Sequence, residues 1–193
     1  MLKSYYDSVL LEAGLDEVGR GCLAGPVVAA AVILPKNYTH SLLNDSKQLT
    51  RRLRERLRSE IERDALAYAV AEASSEEIDR MNILKASFLA MHRAIDQLAL
   101  RPEHLLIDGD RFTPYSGIPH TCIVKGDAQY LAVAAASVLA KTHRDTLMEL
   151  LASRFPEYGW AQNMGYPTLY HRQALRQYGP TPYHRRSFRL LKD

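Results

Sequence analysis

The stretch that most constrains this chain is an apolar strand signal broken by paired acids and glycine. Gly14-Leu15-Asp16-Glu17-Val18-Gly19-Arg20-Gly21 leads directly into an apolar run from Ala24 to Leu34. Val27, Val28, Val32, Ile33 and Leu34 make that run β-branched and almost continuously hydrophobic, which predicts strands buried on both faces by flanking helices. Residues 12 to 34 are therefore expected to form two strands around the Asp16–Gly21 turn, within an α/β sheet. Carboxylates can hold a hard cation, and a glycine-arginine-glycine turn lets backbone N–H groups and a guanidinium approach an anion. Together they point to a site where metal meets a phosphodiester.

The following segments supply further strand ends. Pro35 stops the apolar run, and a polar loop over residues 36 to 49 carries Asn44-Asp45-Ser46-Lys47. Leu49, Leu53, Leu57 and Ile61 then recur every four residues, so a helix is expected after Thr50 as N-cap. Its arginines alternate with Glu55, Glu60 and Glu62, the pattern of a solvated, ion-paired face. Leu66 to Ala73 reads as a strand. Ser74 with Glu77 forms a capping-box signature that opens a helical stretch, broken near Asn82 and continuing to about Leu98. Leu105-Leu106-Ile107 is a short strand ending in Asp108-Gly109, and the strand from His120 to Lys125 ends in Gly126-Asp127. A long helix is expected from Ala128 to about Arg154, with Asp127 at its N-terminus and small residues including Ala132, Ala134, Ala135, Ala136, Ser137 and Ala140 allowing close packing. In open α/β sheets the chemistry gathers at strand ends, and here three strand ends each deliver a carboxylate.

Composition narrows the class without naming the function. A chain of 193 residues that is 47% hydrophobic and 24% charged can build one ordinary domain, and no apolar run approaches the ~20 residues that span a bilayer. The first residues lack the apolar core of a signal peptide, so a cytoplasmic, membrane-free protein is expected. Cys22 and Cys122 have no metal-like spacing and suggest neither a zinc site nor a disulfide framework, so buried or incidental thiols are the reading.

The net charge of +3 is mild, but its distribution is uneven. Residues 158 to 192 contain no Asp or Glu and hold Arg172, Arg176, Arg185, Arg186, Arg189 and Lys192 among seven aromatic residues, Tyr166 included. Cations bind phosphate and aromatic rings stack on sugars or bases, so this segment reads either as a nucleic-acid contact or as a packed tail with solvated arginines. Beside a carboxylate cluster the nucleic-acid reading is favoured. The expected organisation is residues 1–155 as the catalytic part and residues 156–193 as a helical, basic and aromatic extension of the same domain.

Seven blocks in order resemble the type 2 ribonucleases H. They are Asp16-Glu17-Val18-Gly19-Arg20-Gly21 with Ala24-Gly25-Pro26-Val27-Val28, Asn44-Asp45-Ser46-Lys47, Ile107-Asp108-Gly109, Lys125-Gly126-Asp127, Ala135 to Lys141, Gly165-Tyr166-Pro167-Thr168, and His184 to Phe188. The resemblance implies a ribonuclease H-like mixed β-sheet flanked by helices with a C-terminal helical extension. It also implies hydrolysis of the phosphodiester 5′ of ribonucleotides in RNA–DNA hybrids, including single ribonucleotides embedded in duplex DNA, leaving a 3′-hydroxyl.

Residue by residue, the resemblance implies that Asp16, Glu17 and Asp108 bind Mn²⁺ or Mg²⁺ and that Asp127 is the fourth catalytic acid. Gly19, Arg20 and Gly21 match the turn that reads the 2′-hydroxyl and phosphate, and Tyr166 matches the tyrosine at the ribose. Ser46 and Lys47 are either DNA contacts or a simple turn before a helix. Asp110 reads as a loop residue. Asp145 rivals Asp127 for the fourth position, unless it pairs with Arg144 or Lys141. His184 is expected to be structural, with Arg185 and Arg186 exposed, and the chain is expected to act as a monomer. One departure is the Asn163-Met164 pair before Gly165, where the family commonly has a basic or histidine-containing pair; it removes a cation near the junction tyrosine.

Overall fold

The computed structural model describes residues 2–43, 46 and 49–191. The apolar run folds as expected, with β1 at Glu12–Val18 and β2 at Val27–Ile33. Both strands join β3 (Ala67–Ala73), β4 (His104–Asp108) and β5 (His120–Ile123) in one sheet of order β3-β2-β1-β4-β5. β1, β2 and β3 pair antiparallel, whereas β4 and β5 run parallel to β1. The sheet is therefore mixed, and its parallel half sends the ends of β1, β4 and β5 to the same edge.

Helices cover both faces. α1 (Arg51–Asp64) starts at Thr50, whose hydroxyl accepts the Leu53 N–H, and buries Leu57 and Ile61. Its outer arginines pair with Glu55, Glu60 and Glu62 at 2.7 to 2.8 Å, which bears out the solvated-face reading. α2 (Ser75–Met81) opens on the complete Ser74–Glu77 capping box, and Asn82, with φ of 73°, breaks the chain before α3 (Ile83–Asp96). One core packs α2 and α3 on the Ala13 and Leu15 side of the sheet. A second packs α1 and α4 (Leu131–Arg154) on the Val28, Ala30 and Val32 side. Burying a Leu or Ile side chain contributes roughly 1.5–3 kcal/mol, so these two layers supply most of the fold's driving force.

The small residues of α4 matter at one point above all. A Cβ on Gly14 would lie 2.3 Å from the Ala132 carbonyl carbon and 2.4 Å from the Val133 nitrogen. The helix backbone rests directly on β1, and only glycine fits beneath it.

α4 starts later than its sequence suggests. Lys125 adopts φ of 58°, and Gly126–Ala128 form a separate 3₁₀ turn, so Asp127 lies in that turn and not on the N-terminus of the long helix. Beyond Arg154 come a second 3₁₀ turn at Pro156–Tyr158, α5 (Trp160–Asn163) and α6 (Leu169–Tyr178). Tyr158, Trp160, Ala174 and Leu175 share a third core with Leu23, Ala24 and Met148, and Tyr183 and Phe188 pack against it, so four of the tail's seven aromatic residues serve packing. No helix among the described residues is long and apolar enough to cross a membrane.

Candidate metal centre

The strand parity of β1 and β4 decides which acids meet. Successive side chains on a strand point to opposite faces. Asp16 therefore shares the α4 face with Gly14, while Glu17 shares the other face with Leu15 and Ala13. In the parallel pair Leu15 lies opposite Ile107, so Asp108, at the end of β4, falls beside Asp16 on the same face as Leu106. Asp127 arrives from the 3₁₀ turn after β5. Asp16, Asp108 and Asp127 each offer an oxygen within 4.8 Å of the others.

Backbone N–H groups orient two of these acids. The Asp16 carboxylate accepts the Glu17 N–H at 2.7 Å, and Asp108 Oδ1 accepts the Gly126 N–H at 2.7 Å, tying the end of β4 to the turn that carries Asp127. Asp16 and Asp127 are each 5% exposed. Burial pushes the Asp16 carboxyl well above the usual carboxylate range, the charges of Glu17 and Asp108 and then Asp127 push the same way, and the Ser137 hydroxyl opposes them. A hard divalent cation fits this donor set: all ligands are oxygen, and the like charges repel until a cation neutralises them.

Glu17 stands next to this group. Its Oε1 accepts from Arg20 Nη1 at 3.2 Å, and its charge acts on Asp16. The acids expected from the sequence to bind metal and the acids brought together thus differ by one on each side, with Asp127 inside the cluster and Glu17 beside it. Asp145 is elsewhere, pairing with Lys141 at 2.6 Å and Arg54 at 3.5 Å. Asp110 is exposed on its loop, where it faces Arg111 at 3.7 Å.

The substrate candidates surround the turn. Arg20 and Gly21 are exposed, and a Cβ on Gly21 would meet Tyr166 Cε1 at 3.9 Å, so turn and tyrosine are neighbours. Tyr166 is 40% exposed. Asn163 and Met164, which lack the expected cation, build the turn before it: Asn163 Oδ1 accepts the Gly165 N–H at 2.9 Å and its Nδ2 donates to the Tyr158 carbonyl at 2.7 Å. Ser46 is buried, with its hydroxyl 2.8 Å from that of Ser137. Lys47, with Asn44 and Asp45, lies outside the described residues.

Two features escaped the sequence. Ser137 looked like one more small residue of α4, yet its hydroxyl links Ser46 to Asp16; a lone hydroxyl among alanines was the available signal. Arg185 was expected to be exposed beside Arg186, but it is fully buried, as is Arg144. Nothing in a basic pentapeptide tells which arginine turns inward.

The histidine of that block is structural. Trp160 Nε1 can only donate, and it reaches His171 Nε2 at 3.0 Å. His171 then carries its proton on Nδ1, donating to the Tyr166 carbonyl at 2.9 Å, and His184 Nε2 donates to His171 Nε2 at 3.0 Å. His184 Nδ1 is left to accept the Thr181 N–H at 2.9 Å. Burial pushes both histidines down, His184 to about 4 with the help of His171.

Comparison with known proteins places this geometry. A family model described as Ribonuclease HII matches residues 13–191. The chain is similar to the ribonuclease HII of Parabacteroides distasonis, 62% identical over 193 residues, which is 100% of this chain and 97% of that protein. It is 61% identical to the ribonuclease HII of Bacteroides thetaiotaomicron over 193 residues, 100% of this chain and 96% of the relative. Among solved structures, ribonuclease H2 from Pyrococcus horikoshii OT3 superposes with a TM-score of 0.77 at 28% identity, covering 93% of this chain and 94% of the other. The RNase HII of a complex with PCNA from Archaeoglobus fulgidus gives a TM-score of 0.75 at 27% identity, covering 95% and 97%.

Proposed function

Since the chain belongs to the ribonuclease HII family, whose members are divalent-metal-dependent endonucleases acting on RNA–DNA hybrids, we propose that it cuts on the 5′ side of ribonucleotides, single embedded ones included, leaving 3′-hydroxyl and 5′-phosphate ends. The observation that carries this reading is the meeting of Asp16 from β1, Asp108 from the end of β4 and Asp127 from the turn after β5, next to a turn on which Arg20 and Gly21 are exposed. Asp16, Glu17 and Asp108 would hold Mn²⁺ or Mg²⁺, with Asp127 as the fourth acid closing the set. Bound divalent ions supply water activation and neutralisation of the phosphate charge.

The chain's own residues do the rest. Asp16 is pre-positioned by the Glu17 N–H, and Asp108 by the Gly126 N–H, so neither carboxylate has to reorganise when a cation arrives. Gly19, Arg20 and Gly21 would take the phosphate and the 2′-hydroxyl, the one group that separates a ribonucleotide from a deoxyribonucleotide. Tyr166, packed beside Gly21, would contact the same ribose, and Lys47 the neighbouring strand, whereas Ser46, buried against Ser137, is turned away from such a contact. Residues 156–193 act as a helical extension of the catalytic domain that adds basic and aromatic substrate contacts. The protein is proposed to be a cytoplasmic monomer; light scattering on purified protein checks the oligomeric state.

The deciding experiment is incubation with a DNA duplex that holds one ribonucleotide, with Mg²⁺ or Mn²⁺ present. Cleavage on the 5′ side of the ribonucleotide is expected. An intact duplex under both metals, with a long hybrid still cut, would leave the family activity and remove the single-ribonucleotide specificity.

A further inference from the structure

Arg144 and Arg185 are fully buried, and among the described residues neither forms an ion pair. Burying an unpaired charge costs several kcal/mol unless its hydrogen bonds are all met. Here each nitrogen of the two guanidiniums donates to a backbone carbonyl. Arg144 donates from Nε to Pro26 at 3.0 Å, from Nη1 to Met164 at 2.8 Å and from Nη2 to Ala24 at 3.0 Å. Arg185 donates from Nε and Nη2 to Gly25 at 3.0 and 2.9 Å, and from Nη1 to Arg20 at 3.0 Å.

All five carbonyls belong to two short segments, residues 20–26 and the turn before Gly165. The same segments are also joined by the Leu23 N–H to the Gly165 carbonyl at 2.8 Å. Gly19 adopts φ of 97°, and a Cβ there would lie 2.3 Å from Arg144 Nε, so the turn sits directly on the guanidinium. The carbonyls of this region are drawn inward. Arg20 and Gly21 are exposed, and no acceptor among the described residues takes their N–H groups.

We infer that Arg144 and Arg185 are positioning residues for ribonucleotide recognition: by gripping the carbonyl side of residues 20–26 and of Met164, they set the outward face of the Gly19–Gly21 turn and its spacing to Tyr166. This rests on the proposed reading of the turn and of Tyr166 as substrate contacts. Positive charge alone would not do this work. A lysine keeps the charge but presents one compact ammonium, which cannot span the three carbonyls held by Arg144 or the two held by Arg185 as a planar guanidinium does. The surroundings agree with a role in geometry: Asp79 acts favourably on Arg185 from a distance while its own oxygens accept the Arg186 and Ser187 N–H groups at 2.9 Å.

The test is Arg144→Lys and Arg185→Lys in the full chain. Steady-state kinetics are run with Mn²⁺ on the single-ribonucleotide duplex, and the thermal midpoint is measured alongside. Loss of one charged hydrogen bond corresponds to about tenfold. The expected result is a KM for that duplex raised by about that factor, with kcat within about twofold and the half-saturating Mn²⁺ concentration unchanged. An unchanged KM overturns the inference, and so does a parallel loss of kcat, metal affinity and thermal midpoint, which is the mark of a purely structural role.

Should both variants fail to fold, the wild-type protein answers by NMR of the arginine Nε–H groups in Ca²⁺. Arg144 and Arg185 signals are expected to shift on adding the ribonucleotide duplex and not on adding the all-DNA duplex; equal shifts overturn the inference. Wild-type protein that leaves the single-ribonucleotide duplex uncut identifies a failure of the proposed function instead, because that assay involves neither variant.

Discussion

Two clusters of buried charge in this molecule are treated in opposite ways. At the edge of the parallel half of the sheet, Asp16, Asp108 and Asp127 converge with like sign, and burial with neighbouring charge pushes Asp16 toward its neutral form. Beneath the adjacent turn, Arg144 and Arg185 also lie close, but carbonyl oxygens meet their donors. The acids carry like charge in an all-oxygen donor set that fits a hard cation, whereas every nitrogen of the two guanidiniums already donates to a backbone carbonyl. The contrast separates a proposed site of chemistry, where like charges crowd, from the proposed scaffold that aims it, where charge is spread over carbonyls.

The largest test of this contrast is Asp16→Asn. Removing one carboxylate of the proposed metal set should forfeit several kcal/mol of transition-state stabilisation, about a thousandfold in single-turnover rate. Duplex binding, followed by fluorescence anisotropy in Ca²⁺, should stay within about threefold; turnover at the wild-type rate would take Asp16 out of the site. Next comes Gly14→Ala, which places a Cβ 2.3 Å from the helix backbone. Overpacking there should cost about 3 kcal/mol in urea unfolding. A loss below about 1 kcal/mol would mean that α4 does not set the spacing under Asp16.

Metal linkage sharpens the comparison at smaller scale. The Asp16 pKa is raised in the folded protein, so its contribution to stability is present when it is protonated at low pH and is lost as pH rises through the raised value. Metal should restore what is lost: Mn²⁺ at ~100 times its Kd adds about 2.7 kcal/mol, near neutral pH and not in acid. An equal shift in thermal midpoint at both pH values would sever the link between the acids and the ion. The smallest expected effect lies on the satisfied side. His184 is depressed from 6.5 to about 4, so the stability it contributes is present above 6.5 and lost as pH falls toward 4. His184→Asn should flatten the acid limb of the unfolding free energy over that interval, and an unaltered limb would mean that other groups govern it.

Much of this was legible in the chain itself. The Thr50 cap, the Ser74–Glu77 box and the β-branched run before Pro35 are local signals, because the groups that satisfy them lie within a few residues. The delayed start of α4 was hidden, since Gly126–Ala128 form their own turn after a residue in the left-handed region, and composition does not announce that. The adjacent pair Asp16-Glu17 reads in the chain as one unit, but a strand sends neighbours to opposite faces, and that Asp127 comes within 4.8 Å of Asp16 and Asp108 is not visible in the order of residues. The burial of Arg185 could not be seen because its partners, Arg20 and Gly25, are 165 and 160 residues away.

The sequence by itself determined most of the elements, the acids carried by three separate segments and the family, because apolar period, capping chemistry and motif order are carried by short stretches of chain. Only the tertiary structure decided which carboxylates share a cation-sized space, which arginine is sealed beneath the turn and where Tyr166 stands. Those depend on sheet parity and on contacts between segments far apart in the chain, which no local pattern encodes.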